Sequence, residues 1–336
     1  MSQTNTLKFA VLGFGHMGKR HAELIHQNKL TELTAIIDLE LNSEDLNSFS
    51  EIPTFNDLSN FLSVDKNTDV IVIATPNGLH VQHAILCLQA GKNVLIEKPI
   101  ALYAADVAIL FTLAESVNKR IFEGWQLRFS PLMIALKKIL DEKKLGKIYW
   151  IQADCFWSRG DSYYKGHPWH GSKKLDGGPL FTQFSHILHI LTWAFGLLEL
   201  KHTQRFKLNN KVKTEFEDSG SLRLNTQDAE SVNLNYSTCS FDGSSTNTVT
   251  IVAELGTIKI EGQYLNNITS CHTKDQDILN QLGLVYQGKT LNEYCGNKQL
   301  EVIVQELQKE TQLSEYSIIE NVIFNIESAC KSSLTY

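Results

Sequence analysis

Residues 9–18, FAVLGFGHMG, decide the fold of this chain. The four apolar residues predict a buried parallel strand, and the helical pattern of residues 19–27 begins directly after the last glycine. Glycines spaced as Gly-x-Gly-x-x-Gly between a strand and a helix are typical of a dinucleotide-binding turn. A second apolar strand, residues 33–37, ends in Asp38, about 20 residues after Gly18, where a carboxylate can accept hydrogen bonds from a ribose. The order and spacing of these elements predict a dinucleotide site.

The three glycines of this turn are expected to have different tasks. Gly13 permits the tight turn, Gly15 lets the backbone approach a pyrophosphate, and Gly18 lets the helix pack close to the strand. The helix N-terminus offers free N–H groups and a partial positive charge to the diphosphate. Because Asp38 would repel the 2′-phosphate of NADP and Leu39 adds no positive charge, NAD is the predicted cofactor. The alternative is a glycine-rich turn in another parallel α/β protein, with Asp38 an ordinary acid at a strand end.

The first part of the chain alternates between strand and helix. Further strands are predicted at residues 53–55, 70–74, 93–96 and 120–123, and helices at residues 57–63, 80–89 and 104–118. This alternation predicts an α/β fold, the doubly wound parallel sheet of a Rossmann domain, with right-handed crossovers. We expect residues 1–123 to form the dinucleotide-binding domain.

From residue 124 the pattern changes. Helices are predicted at residues 131–142, 180–195, 300–311 and 317–333, and strands at residues 148–157, 202–208, 215–224, 231–240, 246–254 and 256–261. The run of strands predicts an α+β domain, residues 124–336, with a large, mostly antiparallel open sheet. Such a sheet commonly buries one face against helices and the other against a second subunit, so we expect this domain to bind the substrate and to form a homodimer or homotetramer.

The bulk composition narrows the class of protein. A chain of 336 residues with a net charge of −6 gives no electrostatic reason to expect nucleic acid or an anionic membrane as a partner. The apolar runs are far shorter than a membrane span, and residues 1–6 lack the basic start and apolar run of a signal peptide. The 6 cysteines are scattered without a Cys-x-x-Cys pair, which predicts a protein of the reducing cytoplasm.

Two further stretches, residues 97–99 (EKP) and 177–186 (GGPLFTQFSH), fit the same dinucleotide site. Oxidising an alcohol requires a hydride acceptor and a base for the hydroxyl proton. Lys98 directly follows a predicted parallel strand, at the carboxyl end where open α/β sheets bind ligands, and is therefore the candidate base. The alternatives are a solvated lysine at a strand end or an ion-pair partner of Glu97.

His186 is the second candidate, because it lies on a predicted helix after a Gly-Gly turn that can approach a sugar closely. A histidine packed on an apolar helix face is the simpler alternative. His186 and His189 are spaced to share one helix face, but no acid or cysteine nearby completes a metal site, so no metal is predicted.

Taken together, five motifs resemble the glucose–fructose oxidoreductase / inositol dehydrogenase / MocA (Gfo/Idh/MocA) family. They are residues 11–18 (VLGFGHMG), 74–77 (ATPN) with His80, 97–99 (EKP), 126–131 (QLRFSP) and 176–186 (DGGPLFTQFSH). Residues 163–164 (YY), 168–172 (PWHGS) and the Gln183…His186 pattern are most similar to the nucleotide-sugar 3-dehydrogenases of that family. Those enzymes oxidise the C3 hydroxyl of UDP-N-acetylglucosamine or of its glucuronate form. The resemblance implies an NAD-dependent oxidoreductase that moves a hydride from a sugar ring carbon to the nicotinamide, with Lys98 as base and His186 orienting the hydroxyl.

The resemblance also implies site residues in both domains. Cofactor-binding positions are Gly13, Phe14, Gly15, His16, Met17, Gly18, Asp38, Thr75, Pro76, Asn77, His80, Glu97, Lys98, Gln126 and Trp169. Substrate-binding positions are Lys98, Arg128, Arg159, Tyr163, Tyr164, Thr182, Gln183 and His186. From the residue types alone, the two arginines could equally form structural ion pairs, and the two tyrosines could pack against other residues instead of a sugar or uracil ring. His80 could simply face solvent.

Three positions depart from the family pattern. Thr182 stands where many inositol-dehydrogenase-like members have aspartate, His189 stands where the family usually has aspartate, and His170 replaces an arginine that helps to hold a phosphate. A histidine there would be a weaker, pH-dependent substitute. A free-sugar or cyclitol dehydrogenase, or a catalytically inactive dinucleotide-sensing regulator of the same fold, therefore remain alternatives to a nucleotide-sugar dehydrogenase.

Overall fold

The computed structural model describes residues 6–42, 44, 46–209, 211–283, 291–309 and 315–334. The described residues form two compact units. The first draws on the described residues within 6–101, 105–126 and 292–309, and the second on those within 102–104, 127–291 and 315–334. Most of residues 1–6, where the signal-peptide expectation falls, lie outside the described residues.

The first unit contains a six-stranded sheet in which every neighbouring pair of strands is parallel. Its strands are β1 (Leu7–Leu12), β2 (Thr31–Ile37), β3 (Thr54–Phe55), β4 (Val70–Ile73), β5 (Asn93–Ile96) and β6 (Ile121–Glu123), in the order β3-β2-β1-β4-β5-β6. The helices between them are α1 (His16–Gln27), α2 (Leu58–Val64), α3 (His80–Gln89) and α4 (Ala104–Ser116). The strand order reverses between β1 and β4, where open sheets of this kind bind their ligands. The predicted Rossmann architecture is confirmed.

The central strands of this sheet are buried on both faces, which explains their unbroken apolar runs. Phe9 of β1, Val72 of β4 and Leu95 of β5 are fully buried and share one hydrophobic core with Ile25 of α1. Each side chain buried in this way contributes roughly 1.5–3 kcal/mol to the free energy of unfolding. The core thereby fixes the carboxyl ends of the strands, where the predicted cofactor residues lie.

One helix from the C-terminal part of the sequence belongs to the first unit. α10 (Leu291–Lys309) contributes Leu300 and Ile303 to the core around α1, whereas the sequence-based boundary after residue 123 assigns this segment to the second domain. The sequence predicts that this helix begins at residue 300, whereas α10 begins at Leu291. Its predicted end, residue 311, lies outside the described residues. The first turns of α10 are mostly polar, and Gly296 lies against Leu24, so the helical pattern of apolar residues is weak there.

The second unit contains a seven-stranded sheet that is mostly antiparallel, as predicted. Its strands are β7 (Ile148–Trp157), β8 (Glu199–Phe206), β9 (Ser219–Asn225), β10 (Val232–Ser237), β11 (Ser245–Ala253), β12 (Gly256–Glu261) and β13 (Asn267–Thr273), in the order β13-β12-β11-β7-β10-β9-β8. Among the described strand pairs of this second sheet, only β7–β10 is parallel. The unit also contains α5 (Pro131–Asp141), α6 (Asp161–Lys165), α7 (Pro179–Thr182), α8 (Ser185–Phe195), α9 (Gln276–Leu282) and α11 (Tyr316–Cys330). β13, α6 and α9 were not predicted.

The single helix predicted at residues 180–195 is in fact two helices, α7 and α8. Gly177 and Gly178 have φ angles of +84° and +112°, so the chain enters α7 from a conformation that favours glycine. The backbone N–H groups of Gln183 and Phe184 both donate to the carbonyl of Pro179, which closes α7 before α8 begins. Apolar residues continue through the break, so hydrophobic periodicity alone could not reveal it. Among the described helices, none combines the length and apolarity that a membrane span requires.

Candidate active site

The glycine turn of the first unit has a distinct steric reason for each glycine. A Cβ on Gly18 would lie 1.8 Å from the carbonyl oxygen of Gly13, so only glycine allows α1 to approach the turn. Gly13 has a φ of +90°, and a Cβ there would lie 2.6 Å from the carbonyl oxygen of Ala74. At Gly15, in contrast, a Cβ would meet no protein atom within 4 Å. Packing does not require Gly15, and the open space beside it fits the close approach of a dinucleotide phosphate.

The N-terminus of α1 faces this open space with its first N–H groups. Its N-cap is Gly15, which provides no side-chain cap, and His16 is exposed while Met17 is half-buried. The exposed end therefore retains donors and a partial positive charge for an anion. The side chain of Phe14 is buried and packs edge-on against Phe49, with ring centroids 5.8 Å apart. Only the backbone of Phe14 remains for a cofactor.

Asp38 lies directly after β2 and is held by backbone donors. Its Oδ2 accepts from the N–H of Phe14 at 2.5 Å, and its Oδ1 accepts from the N–H of Glu40 at 3.0 Å. The carboxylate is half-buried beside Leu39, whose side chain is 83% exposed. Each oxygen keeps a second lone pair, so the fixed carboxylate can accept hydrogen bonds from two ribose hydroxyls.

Lys98 is half-buried and follows β5 at the carboxyl edge of the sheet. The preceding carboxylate of Glu97 is buried, with Oε1 hydrogen-bonded to Nε2 of His21 at 2.6 Å and Oε2 accepting from the N–H of Lys98 at 3.2 Å. The Lys98–Pro99 peptide bond is cis, as the resemblance implies. His21 belongs to α1, so it joins the dinucleotide turn to the Lys98 loop. Sequence reasoning missed His21, although it lies in the buried stripe of α1 with Gly18 and Ile25.

His80 is completely buried, which corrects the alternative that it faces solvent. Its Nδ1 lies 2.8 Å from the carbonyl oxygen of Pro99, and its Nε2 lies 2.7 Å from that of Thr75. Burial lowers the pKa of His80 below its usual range, although both backbone carbonyls oppose that shift. Because its two ring nitrogens face the carbonyls of Pro99 and Thr75, His80 lies between the Thr75 loop and the Lys98 loop and supports both. Asn77 is also buried, and the hydroxyl of Thr75 bonds to His83 at 3.0 Å.

Gln126 is the last residue of the second segment of the first unit, and it is held by an arginine that sequence reasoning did not select. Its Oε1 accepts from Nη2 of Arg20 at 2.9 Å, and the same Nη2 also donates to the carbonyl of Asn292 at 2.8 Å. The side-chain amide nitrogen of Gln126 is buried and has no hydrogen-bond partner among the described residues. A buried donor without a partner is costly, so this amide is suited to a bound ligand.

In the second unit, Asp176 organises the loop before α7. Its Oδ2 accepts from the N–H of Gly171 at 2.9 Å, and its Oδ1 accepts from the hydroxyl of Thr182. The same hydroxyl also contacts the carbonyl of Asp176 at 3.1 Å. Thr182 therefore holds the loop, and its hydroxyl is engaged within the protein. The aspartate missing from position 182 of the family pattern is not replaced there by any group that could act as a base at neutral pH.

A stack of aromatic side chains and one arginine lies along the end of β7 and the loop that follows it. The guanidinium carbon of Arg159 lies 4.9 Å from the ring of Trp157 and 4.7 Å from the ring of Tyr163. The ring of His170 stacks on Tyr163 with centroids 4.4 Å apart, and Trp169 lies edge-on to His170 at 4.0 Å. Arg159 forms no carboxylate ion pair within the described part of the chain, and its Nη1 donates to a backbone carbonyl. Its charge therefore remains suited to an anion.

The hydrogen bonds of this loop connect it to α7 and α8. The side-chain amide nitrogen of Gln183 donates to the hydroxyl of Tyr163 at 3.0 Å. Burial raises the pKa of Tyr163 to about 12, so the phenol stays protonated. The N–H at Nδ1 of His170 donates to the carbonyl of Tyr163 at 3.0 Å, which leaves Nε2 of a neutral ring as an acceptor. Burial lowers the pKa of His170, so the neutral ring is the form present at neutral pH.

Two predicted substrate residues are engaged in contacts within the protein. Arg128 forms an ion pair with Glu315, as its structural alternative predicts. Tyr164 is buried in a cluster with Val212 and Phe216, as its packing alternative predicts. Both contacts join segments that are far apart in sequence, which explains why local patterns did not reveal them.

His186 lies in the first turn of α8 and is half-buried, while His189 is fully buried. Burial holds the pKa of His189 well below its usual range, and the positive charges of Arg128 and His186 lower it further. His189 is therefore a neutral core residue, and His186 is the histidine of this helix that remains partly accessible. Within the described ranges, no three His, Cys, Asp or Glu side chains come together as a metal site.

Comparisons with known proteins agree with this architecture. Residues 7–125 match the family described as "Oxidoreductase family, NAD-binding Rossmann fold" (GFO_IDH_MocA), and residues 133–259 match the "GFO/IDH/MocA C-terminal domain". The predicted NAD-binding domain is confirmed by this match. The WlbA dehydrogenase from Bordetella pertussis, solved in complex with NADH and UDP-GlcNAcA, superposes with a TM-score of 0.84 at 23% identity, covering 97% of this chain and 94% of that chain. Likeness at this level of identity establishes the fold.

Curated relatives align over shorter lengths. Glucose-6-phosphate 3-dehydrogenase of Bacillus subtilis (strain 168) is 28% identical over 213 residues, which is 62% of this chain and 59% of that protein. Inositol 2-dehydrogenase of Rhizobium meliloti (strain 1021) is 27% identical over 146 residues, which is 43% of each chain. The match therefore spans about half of the length of these relatives.

Proposed function

Because this chain belongs to the GFO/IDH/MocA oxidoreductase family, we propose that it is an NAD-dependent dehydrogenase that oxidises a ring hydroxyl of a sugar, with the C3 hydroxyl of a UDP-linked amino sugar as the preferred substrate. The single observation that carries the proposal is Lys98, a half-buried lysine fixed at the carboxyl edge of the NAD-binding sheet. In the oxidation, the alcohol carbon loses a hydride, its hydroxyl loses a proton, and a ketone forms. Bound NAD supplies the acceptor for the hydride.

The residues of the first unit hold the cofactor and move the proton. The turn at Gly15 and the N-terminus of α1 bind the diphosphate, and Asp38 binds the adenosine ribose. Lys98, in its neutral form, accepts the hydroxyl proton through Nζ. His21 and Glu97 fix the backbone of the Lys98 loop from one side, and His80 fixes it from the other.

The residues of the second unit bind the sugar. Gln183 is oriented by its hydrogen bond to Tyr163, and His186 lies in the first turn of α8, the helix that follows. His186 hydrogen-bonds the reacting hydroxyl and orients it. Arg159, held between two aromatic rings without a carboxylate partner among the described residues, supports the choice of a substrate that carries a phosphate or a carboxylate.

The test is a screen of UDP-sugars, sugar phosphates, free sugars and cyclitols with NAD, followed by the absorbance of the reduced nicotinamide. We expect turnover with UDP-N-acetylglucosamine or its glucuronate form at a kcat/KM at least about tenfold above that of free sugars. Equal turnover of free sugars or cyclitols would contradict the nucleotide-sugar assignment and leave a general sugar dehydrogenase. Tight NAD binding without turnover of any compound in the screen would contradict the enzyme and favour a dinucleotide-sensing regulator.

The sheet of the second unit supports a homo-oligomer. Trp150 and Phe156, on the same face of the central strand β7, are 44% and 40% exposed. Between them, the carboxylate of Asp154 accepts from the side-chain amides of Gln152 and Asn235. Sedimentation should show a dimer or tetramer, and Trp150→Asp should shift it towards monomer, whereas Phe241→Ser, at a loop residue 90% exposed, should not. A monomeric wild-type protein would contradict this assignment.

The 6 cysteines are free thiols, which supports a reducing, cytoplasmic location.

A further inference from the structure

Buried titratable side chains of the first unit lie against the loop that carries Lys98, or next to it. Among them are His21, Glu97 and Glu123, which are 2%, 5% and 2% exposed. We propose that His21 is a positioning residue for proton transfer: it holds the carboxylate of Glu97, which keeps Lys98 where its amine can accept the hydroxyl proton. This role of His21 rests on the proposed function, in which Lys98 is the base.

The hydrogen bond between His21 and Glu97 is short and lies in the interior. Nε2 of His21 is 2.6 Å from Oε1 of Glu97, and both side chains are almost completely buried. Because an ionised carboxylate can only accept hydrogen bonds, the imidazole donates its Nε2–H. A buried carboxylate without a donor is costly. His21 therefore stabilises the carboxylate of Glu97 in its buried position.

The carboxylate of Glu97 has two further neighbours that fix its orientation. Its Oε2 accepts from the N–H of Lys98 at 3.2 Å. The backbone of Gly124 packs against the carboxylate, since a Cβ on Gly124 would lie 3.1 Å from Oε1. The backbone of Glu97 is itself fixed in the sheet, where its N–H donates to the carbonyl of Ile73 at 2.9 Å. Loss of the His21 donor would let this carboxylate turn and release the N–H of Lys98.

The N–H of Ile100, two residues further along the loop, is held by a different carboxylate. It donates to Oε1 of Glu123 at 3.1 Å. Glu123 lies at the end of β6, and its own carbonyl accepts from the side-chain amide of Gln299 at 2.7 Å. The contact of Ile100 with Glu123 uses no group of His21. A change at His21 should therefore loosen the N–H of Lys98 while that of Ile100 stays held, so the two N–H groups form a matched pair.

The placement of the loop matters because Lys98 acts through its amine. A general base must lie within about 2.6–3.2 Å of the group whose proton it accepts. A displacement of about 1 Å can lower a rate on the order of 100-fold. The stem of a lysine is flexible, so a backbone that moves carries the amine with it. NAD binding rests instead on the turn that Gly13 and Gly18 fix by steric packing. We therefore expect a change at His21 to lower kcat more than NAD affinity.

Amide hydrogen exchange, followed by NMR, tests the contact without any turnover. His21→Leu removes the donor and keeps an apolar side chain of similar volume, whereas His21→Gln places an amide N–H about as far from the backbone as Nε2. In His21→Leu we expect the N–H of Lys98 to exchange at least about tenfold faster, and that of Ile100 to stay within about threefold of wild type. His21→Gln should restore the slow exchange of Lys98. Unchanged exchange of Lys98 in His21→Leu, or equal acceleration of both N–H groups, would overturn the proposal.

Glu97→Gln provides the same test if His21→Leu does not fold. Its side-chain oxygen can still accept from His21, but its amide nitrogen cannot accept from the N–H of Lys98. The N–H of Lys98 should again exchange at least about tenfold faster than in wild type, with that of Ile100 unchanged. Slow exchange of Lys98 in this variant would also overturn the proposal.

Steady-state kinetics with NAD and the best sugar of the screen connect the contact to the reaction. We expect kcat to fall about 10- to 100-fold in His21→Leu, with the KM of the sugar and the calorimetric affinity for NAD within about threefold of wild type. His21→Gln, which keeps a donor, should recover kcat to within about fivefold. The matched controls are His26→Leu and His26→Gln, at an exposed histidine of the same helix, and both should keep the wild-type kcat. A loss of kcat that His21→Gln does not recover, or one that His26→Leu shares, would contradict the positioning role.

A double-mutant cycle shows whether His21 acts through Glu97. In the Glu97→Gln background, His21→Leu should lower kcat by less than about threefold further, because the carboxylate that it orients is already absent. Losses that multiply independently would overturn the proposal. If wild-type protein turns over no sugar, the proposed function fails, and the exchange of the Lys98 N–H still decides whether His21 holds the loop, so the two failures are distinguishable.

Discussion

The two halves of the set of candidate residues, one in each unit, are fixed within their own units by different means. In the first unit, the dinucleotide turn is fixed by backbone geometry: Gly18 and Gly13 leave no room for a Cβ, and Asp38 is fixed by backbone N–H groups. In the second unit, the loop after β7 is fixed by side chains, through the stack of Arg159, Tyr163 and His170. Backbone geometry tolerates few substitutions, whereas a side-chain stack can be rebuilt residue by residue. The first half is therefore suited to a constant ligand and the second to a ligand that varies between relatives.

The largest expected effect is on kcat, and it distinguishes the proton-transfer role of a first-unit residue from a role in NAD binding. Lys98→Ala should reduce kcat about 100- to 10,000-fold, because the assigned role is proton transfer. NAD affinity, measured by calorimetry, should stay within about threefold of wild type. The control is Lys8→Ala, at a lysine of β1 whose backbone pairs in the sheet, which should keep full activity. A Lys98 variant with more than about a third of the wild-type rate would mean that the lysine is only structural.

The next effect tests the steric argument for the glycine turn. Gly18→Ala should lower the free energy of unfolding by at least about 3 kcal/mol, because its Cβ would overlap the carbonyl of Gly13 at 1.8 Å. Gly15→Ala is the matched control: its Cβ meets no protein atom and its φ is −72°, so the stability should change by less than about 0.5 kcal/mol.

The same pair distinguishes packing from cofactor contact. Gly15→Ala should weaken NAD binding about tenfold or more, because the new methyl group occupies the space left for the phosphate. Urea unfolding and NAD titration of both variants are the measurements. If Gly15→Ala binds NAD as tightly as wild type, the open space beside it is not the phosphate position.

This contrast explains what the sequence could and could not predict. The strands, the glycine turn, Asp38 and Lys98 were predicted because each lies within a few residues of an apolar strand, and the carboxyl ends of parallel strands meet at one edge. The ion pair of Arg128 with Glu315 and the packing of Tyr164 on Phe216 depend on segments far apart in the chain. Local periodicity carries no information about such contacts.

Other features were not predicted because the pattern of apolar residues does not show them, although they depend on nearby residues. The break between α7 and α8 lies within a continuous apolar run, and the polar start of α10 hides its return to the first unit. Three supporting residues were also missed: their hydrogen bonds hold candidate site residues or loops in place. They are His21, Arg20 and Asp176. Of these, only His21 carried a usable signal, since a histidine in a buried helical stripe needs a partner.

A smaller effect concerns the choice between NAD and NADP. Wild-type protein should bind NAD about 100-fold more tightly than NADP, because the fixed carboxylate of Asp38 would repel a 2′-phosphate. Asp38→Asn removes that charge and keeps an oxygen for the N–H of Phe14, so the preference should fall to within about tenfold. Calorimetric titration of both proteins with both cofactors checks this, and a wild-type preference for NADP would contradict the assigned role of Asp38.

The smallest effect belongs to His170 in the second half. Burial lowers the pKa of His170 from the ordinary value of 6.5, and the nearby positive charges of His167 and Arg159 lower it further, while the carbonyl of Tyr163 and the charge of Asp176 oppose the shift. The imidazolium, which would attract a diphosphate, is therefore present only below about pH 6.5. From pH 7 to 8 the neutral ring adds no charge, so UDP affinity should not depend on His170 there.

His170→Arg tests whether a positive charge at position 170 raises UDP affinity. An arginine stays charged at every pH of the experiment and can stack on Tyr163 as the histidine does, so UDP affinity at pH 7.5 should rise about 3- to 10-fold. At pH values low enough to protonate the wild-type ring, the gain over wild type should shrink, because that ring then also becomes charged. The measurement is UDP affinity between pH 5.5 and 8 for both proteins, with NAD affinity followed in parallel as the control. Equal UDP affinity of the two proteins at every pH would show that His170 does not face the anion, and that the loop of Trp169 has only a packing role in the second unit.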